Sequence, residues 1–295
     1  MLKLSTNQLA VKSNFSFLNF HHIQNNLNEV INYVNTSQVE SSLSFDERKE
    51  KYIEALNTLQ NSKLPINNKK TLIEFDNDNH TKSMIRNQLL EENDVNNKQH
   101  LFSDEDRNVF SEKINKAFDL IKLLHEDLYN LINQQISTIY VVKKDGYGGG
   151  SVSGLLGFIW LNPQPKWSIL DYAENLYHEF IHNSLFLDDM VNSIFPDPLA
   201  CAEEDGLVIS TILNIKRPLD KSYHAANVAI GVMHFYNLIG NIPEHKNYFY
   251  SLNNTLEEIN KRTYLLGDQG KLILEVMNNF NKEKDFDSIT KNLRR

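Results

Sequence analysis

Between residues 1 and about 135, apolar side chains recur at three- and four-residue spacing in a background rich in Asn, Gln, Glu and Lys, with Pro65 as the only proline. That spacing predicts successive amphipathic helices, each burying one stripe. The longest starts at a Ser103 cap and runs through Val109, Phe110, Ile114, Phe118, Ile121, Leu124, Leu128 and Leu131. The Asn/Asp-rich stretches 75–80 and 91–97 read as exposed connections. Neither carries the central glycine and terminal glutamate of an EF-hand calcium loop.

The pattern changes at Ser137-Thr138-Ile139-Tyr140-Val141-Val142, a β-branched and aromatic run that predicts a strand. The glycine-rich segment 146–151 follows. It lacks both the Gly-Lys-Ser/Thr ending and the GxGxxG spacing of phosphate-binding loops, so it reads as a mobile hairpin or rim loop. Leu155–Leu161 predicts a second, buried strand that ends at Asn162-Pro163-Gln164-Pro165. An extended peptide added edge-on to this strand is one expectation for substrate binding. From Ser168 the chain is helical again, punctuated at Pro196-Asp197-Pro198, Arg217-Pro218, Ile242-Pro243 and Gly267. The expected fold is mostly α (α+β), with a small hairpin or sheet beside the helix after Ser168. Residues 1–135 would be a helical scaffold or peptide-recognition part and 136–295 a metal-binding catalytic part, packed directly as one compact unit.

Composition narrows the function classes. The 295 residues are 41% hydrophobic, with 30 basic and 38 acidic side chains and a formal net charge of −8. Without a Lys/Arg cluster there is no electrostatic footprint for nucleic acid or anionic lipid. No apolar run approaches the roughly 18 residues of a membrane span, and Met1–Gln8 lacks the apolar core of a signal segment. A single cysteine, Cys201, leaves no intramolecular disulfide, which suits a reducing compartment. The expectation is a cytoplasmic protein.

The candidate chemistry lies in His178-Glu179-Phe180-Ile181-His182. Residues four apart on a helix share a face, so both imidazoles reach one first-row cation. On a helical wheel Asp171, Glu174, His178, His182, Leu185 and Asp189 fall on one stripe, opposite Ala173, Leu176, Phe180, Ser184 and Leu187. The histidines then face a polar cleft. Two ligands do not name the metal: a zinc hydrolase and a non-haem iron oxygenase share this start. For the third ligand the chain offers His224, on a predicted helix 222–236 whose surface Ala225, Ala226 and Gly231 keep small, or Glu203 and Glu204. The remaining histidines stand in polar or loop contexts and read as incidental, with His234 in a packing or supporting role.

The strand, the apolar strand Gly154–Leu161, Tyr177-His178-Glu179-Phe180-Ile181-His182-Asn183, and Arg217-Pro218-Leu219 followed by His224-Ala225-Ala226-Asn227-Val228 together resemble the HExxH-motif domain of bacterial peptide-natural-product (RiPP) maturation, over residues about 137–240. The resemblance implies an iron(II)- and 2-oxoglutarate-dependent dioxygenase that hydroxylates the β-carbon of a residue in a ribosomal peptide, bound with or without its leader region. It makes His178, His182 and His224 the metal ligands. Arg217 is the candidate for the distal carboxylate of 2-oxoglutarate, because a guanidinium fork matches a carboxylate bidentately; Lys216 is the fallback. Tyr147 and Trp160 are candidates for substrate contact, Tyr147 as part of a lid. Three imidazoles with water also suit zinc, so a zinc metallopeptidase with Glu179 as general base stays open beside the oxygenase, in which Glu179 instead orients a ligand, a water or the substrate.

Overall fold

A computed structural model describes residues 14–35, 43–66 and 70–295; Met1–Gln8 lies outside them. The described chain is mostly helical, with eleven α-helices and two small sheets. It folds as two compact units, one of Gln24–Leu187 and one of the described residues up to Ile23 together with Asp188–Arg295. The compositional shift near residue 135 lies inside the first of these.

The first unit is built on a four-stranded sheet. Its strands are β1 (Leu72–Glu74), β2 (Thr138–Val141), β3 (Gly149–Gly150) and β4 (Phe158–Leu161), in the order β1-β2-β4-β3. The first two pairings are parallel and β3 joins β4 antiparallel, with Gly149 opposite Leu161 and Gly150 opposite Trp160. The expected pair of strands is therefore not a hairpin. Every residue of β2 and β4 is buried, which is why both read as uninterrupted apolar runs. The 155–161 strand is shorter than predicted: Ser153–Leu155 forms a 3-10 turn, and Gly157 adopts φ +78°, where a side chain would be strained. Strand β1 was hidden in the Asn-rich half because three residues carry no legible alternation.

Around the sheet run α1 (Phe20–Val34, shared with the other unit), α2 (Phe45–Leu59), α3 (Asp78–Arg86), α4 (Glu92–Asn96), α5 (Asp104–Leu124) and α6 (Glu126–Gln135). The Ser103 cap is present, accepting from the Asp106 amide. The long helix predicted behind it is broken at His125, whose Nδ1 accepts the Leu128 amide and starts α6 afresh. Nor are the two Asn/Asp-rich stretches plain connections: Asn77 caps α3, and 91–97 contains α4. His80, read as incidental, is buried with Nε2 2.6 Å from Glu74 and its ring packed on Tyr140 and Phe158.

The other unit centres on α8 (Leu219–Ile239), buried on all sides from Ser222 to Tyr236. Such all-round apolar character marks a helix enclosed by neighbours. Around it are the hairpin β5 (Leu207–Ile209) and β6 (Lys216–Pro218), then α9 (Phe249–Asn260), α10 (Asp268–Glu283) and α11 (Phe286–Asn292). Helix α7 (Ile169–Asn192) carries the motif, and the division between the units falls within it, after Leu187. At its end in the second unit Asp188 is fully buried and accepts from Ser16 Oγ at 2.6 Å, Asn192 Nδ2 at 2.7 Å and Gln269 Nε2 at 3.0 Å, with His22 Nε2 at 2.8 Å.

Candidate metal centre

Helix α7 begins where Ser168 and Asp171 exchange hydrogen bonds. The Ser168 amide and hydroxyl donate to Asp171 Oδ2 at 2.7 Å, and Ser168 Oγ accepts the Asp171 amide at 3.3 Å. This reciprocal cap is worth about 1 kcal/mol. The helix is more enclosed than its wheel predicts. Between Asp171 and Asp189 only one narrow stripe, Asp171, Asn175, His178, His182, Phe186 and Asp189, is part-exposed, while Glu174 and Leu185, expected on that stripe, are buried. Both histidines lie on it. Their ring centroids are 5.0 Å apart with planes at 52°, and His182 stacks on Phe186 at 6.1 Å. Two imidazoles on one tetrahedral ion, each with a metal–nitrogen bond of about 2.0–2.1 Å, have centroids about 5 Å apart. The spacing of the pair is compatible with that distance.

Glu179 turns away from that stripe and is 3% exposed. One carboxylate oxygen, Oε2, accepts Ser151 Oγ at 2.6 Å; the other, Oε1, is 3.8 Å from His178 Nε2. Burial pushes its carboxyl up to about 7, against the Ser151 hydrogen bond, which lowers it. Asn183, one turn on, completes the arrangement. Its Nδ2 donates to Ser151 Oγ and to the Glu179 carbonyl, both at 3.0 Å, and its Oδ1 accepts the Gly157 amide at 3.1 Å. Ser151 and Asn183 were missed from the sequence. The only signal was position: Asn183 lies four residues after Glu179, and Ser151 ends the glycine run.

That glycine run is built rather than loose. A Cβ on Gly148 would sit 3.0 Å from the Trp167 ring, one on Gly149 2.9 Å from the Trp160 carbonyl oxygen, and one on Gly150 2.8 Å from Trp160 Nε1. The turn before it is pinned by Asn162 Nδ2, which donates to the carbonyls of Lys144 at 2.6 Å and Tyr147 at 2.8 Å. Tyr147 is 60% exposed with the Lys144 ammonium 5.4 Å from its ring centre, whereas Trp160 is 2% exposed. Trp160 backs the glycine strand and shows no free face to a substrate. Strand β4 is paired on both sides, to β2 and to β3, which overturns the expectation that a peptide adds to its edge.

The remaining candidates belong to the other unit. His224 is 5% exposed and stacks on Phe195 at 6.1 Å; burial, and after it Lys221, holds its imidazole down to about 3, so it is neutral. The neutral ring is the form that ligates metals. Arg217 lies on β6, part-exposed and opposite Val208, with no carboxylate partner among the described residues; Lys216 beside it is exposed. Glu203 and Glu204 are exposed, Glu203 between two 3-10 turns and Glu204 in the second of them, and not on a second long helix, as a carboxylate-ligand peptidase would have them. His234 is buried with Nε2 3.0 Å from Thr290 Oγ1, a packing position. Among the described residues no group of three or more His, Cys, Asp or Glu side chains is gathered as a metal site. No helix among them is long and apolar enough to cross a membrane.

No protein-family model matches the chain, and no curated protein is significantly similar to it.

Proposed function

We propose that the chain is a metal-dependent enzyme in which His178 and His182 hold iron(II), and that it uses 2-oxoglutarate to hydroxylate a side-chain β-carbon of a peptide. The observation that carries the metal is the spacing of the two rings, 5.0 Å between centroids on the part-exposed stripe of an otherwise enclosed helix. The cosubstrate and peptide rest on the motif order Tyr177–Asn183, Arg217–Leu219 and His224–Val228. Iron(II) with 2-oxoglutarate supplies oxidation of an unactivated C–H bond: dioxygen gives one atom to succinate, formed with loss of CO2, and the other to the substrate.

The protein's own residues position. His178 and His182 offer imidazole nitrogens, and His224 is the third ligand that the motif order implies. The Arg217 guanidinium, without a carboxylate partner among the described residues, suits the distal carboxylate of 2-oxoglutarate. Glu179 is engaged by Ser151 and acts by fixing the glycine strand to the motif helix. The test is incubation of the iron-loaded protein with 2-oxoglutarate and candidate ribosomal peptides, reading succinate and a one-oxygen mass gain together. Peptide cleavage without succinate overturns the reading.

A second reading, a zinc peptidase with Glu179 as general base, has one observation in its favour. The Oε1 atom, not used by Ser151, lies on the side of His178 Nε2 at 3.8 Å. A water on a metal at that nitrogen would be near a carboxylate.

A further inference from the structure

We infer that the unpaired edge of β3 is a peptide-docking strand, to which an extended peptide adds by main-chain hydrogen bonds while one of its apolar or aromatic side chains enters the neighbouring groove. This rests on the reading of a peptide as substrate and says where the peptide lies. The sheet has two ends, β1 and β3, and among the described residues no strand pairs with the outer side of either. Strand β3 is distinguished by what surrounds it.

Its polarity is fixed by its partner. The Gly148 carbonyl accepts the Asn162 amide at 2.8 Å, which makes Gly148 and Asn162 a hydrogen-bonded pair. Alternation along an antiparallel ladder then turns the N–H and C=O of Gly149 away from β4, toward the open side. Gly148, Gly149 and Gly150 are all part-exposed and have no side chains to screen those groups. Natural proteins blunt a free edge with charge, proline or a cover; this one is three glycines whose Cβ positions are taken by Trp160, Leu161 and Trp167. Close packing against these positions excludes side chains from the strand and leaves its main chain bare, the condition for strand addition.

A cavity of about 590 Å³ opens at the start of this strand, with Gly148 in its wall. Phe102, Tyr147, Pro163, Pro165 and Trp167 give it aromatic and proline surfaces, and the Lys143 ammonium stands 5.0 Å from the Phe102 ring centre. A bare edge reads no side chains, so selectivity has to come from such a groove. At the other end of the strand Ser151 hydrogen-bonds Glu179, the residue next to His178. A peptide on β3 thus runs from the groove toward the motif helix, within one unit of the structure.

The test uses the metal-free full chain and a bead library of random dodecapeptides. Selected binders are remade with N-methyl groups on alternate residues in each of the two registers, and amide hydrogen exchange is followed with and without peptide. Expected are slowed exchange in 147–151, a change in Trp167 fluorescence, and at least a tenfold loss of affinity from N-methylation in one register only. Protection at 72–74 or on the helices alone, equal affinity of both N-methylated registers, or no binder in the library overturns the inference. Because no metal is present, such a failure leaves the iron and 2-oxoglutarate reading to its own test. Conversely, binding on β3 by a chain that makes no succinate would refute the oxygenase and keep the docking strand.

Discussion

Ser151 Oγ donates a 2.6 Å hydrogen bond to Glu179 Oε2, joining the end of a three-glycine segment to the acid of the histidine motif. Asn183 braces the same hydroxyl and also receives the Gly157 amide, so one polar node ties β3, the approach to β4 and α7. Every donor in it is buried or part-buried, where losing a partner costs about 1–3 kcal/mol.

Ser151→Ala leaves the Glu179 carboxyl buried without its hydroxyl donor. The expected cost is about 1–3 kcal/mol in urea unfolding, recovered in large part by Ser151→Thr, which restores the hydroxyl. A Ser151→Ala protein as stable as the parent would mean that the node holds nothing together.

Glu179→Gln keeps an acceptor for Ser151 and removes the carboxylate. The oxygenase reading expects succinate formation within about tenfold of the parent, since no general base is lost. The peptidase reading expects loss on the order of the 10²–10⁴-fold attributed to acid–base catalysis. Rates of both reactions in the same preparation separate the two.

Asp188 predicts an acid limb in stability. Burial pushes its carboxyl up, but the hydrogen bonds and charge of His22, with Ser16 and Gln269, outweigh this and hold it below the ordinary carboxylate value. Its folded pKa being the lower one, its contribution is complete above the unfolded value of about 3.9 and is lost as pH falls below that and through the folded pKa. Thermal unfolding from pH 6 down to pH 2 should steepen below about pH 4 in the parent and less in Asp188→Asn. Parallel profiles would contradict the assignment.

How far the chain was legible follows from the length of each signal. Helix α7 and the Ser103 cap were readable because 24 and 21 residues repeat one spacing. The break at His125 was not, since an imidazole cap looks like any polar residue in a helical run. Strand β1, three residues long, and the two-residue β3 carry no period at all. In the candidate site the histidine pair was legible from spacing alone. Its support was not: Ser151 and Asn162 act across gaps of 28 and 15–18 residues, contacts that only folding creates. The glycines were read for freedom, yet their use is close approach of two tryptophans.

His224→Ala tests the ligand taken from the motif order. Metal-ion titration should show at least a tenfold weaker iron(II) affinity with the fold retained by circular dichroism. Unchanged affinity would remove His224 from the shell.

The most direct measurement of the central claim is an anaerobic titration of the purified protein with iron(II) and then 2-oxoglutarate, followed by absorbance. The account predicts one iron per chain and a visible charge-transfer band that appears only when both are present, absent in His178→Ala and in His182→Ala. Stoichiometric zinc binding with no spectral response to iron and 2-oxoglutarate would contradict it.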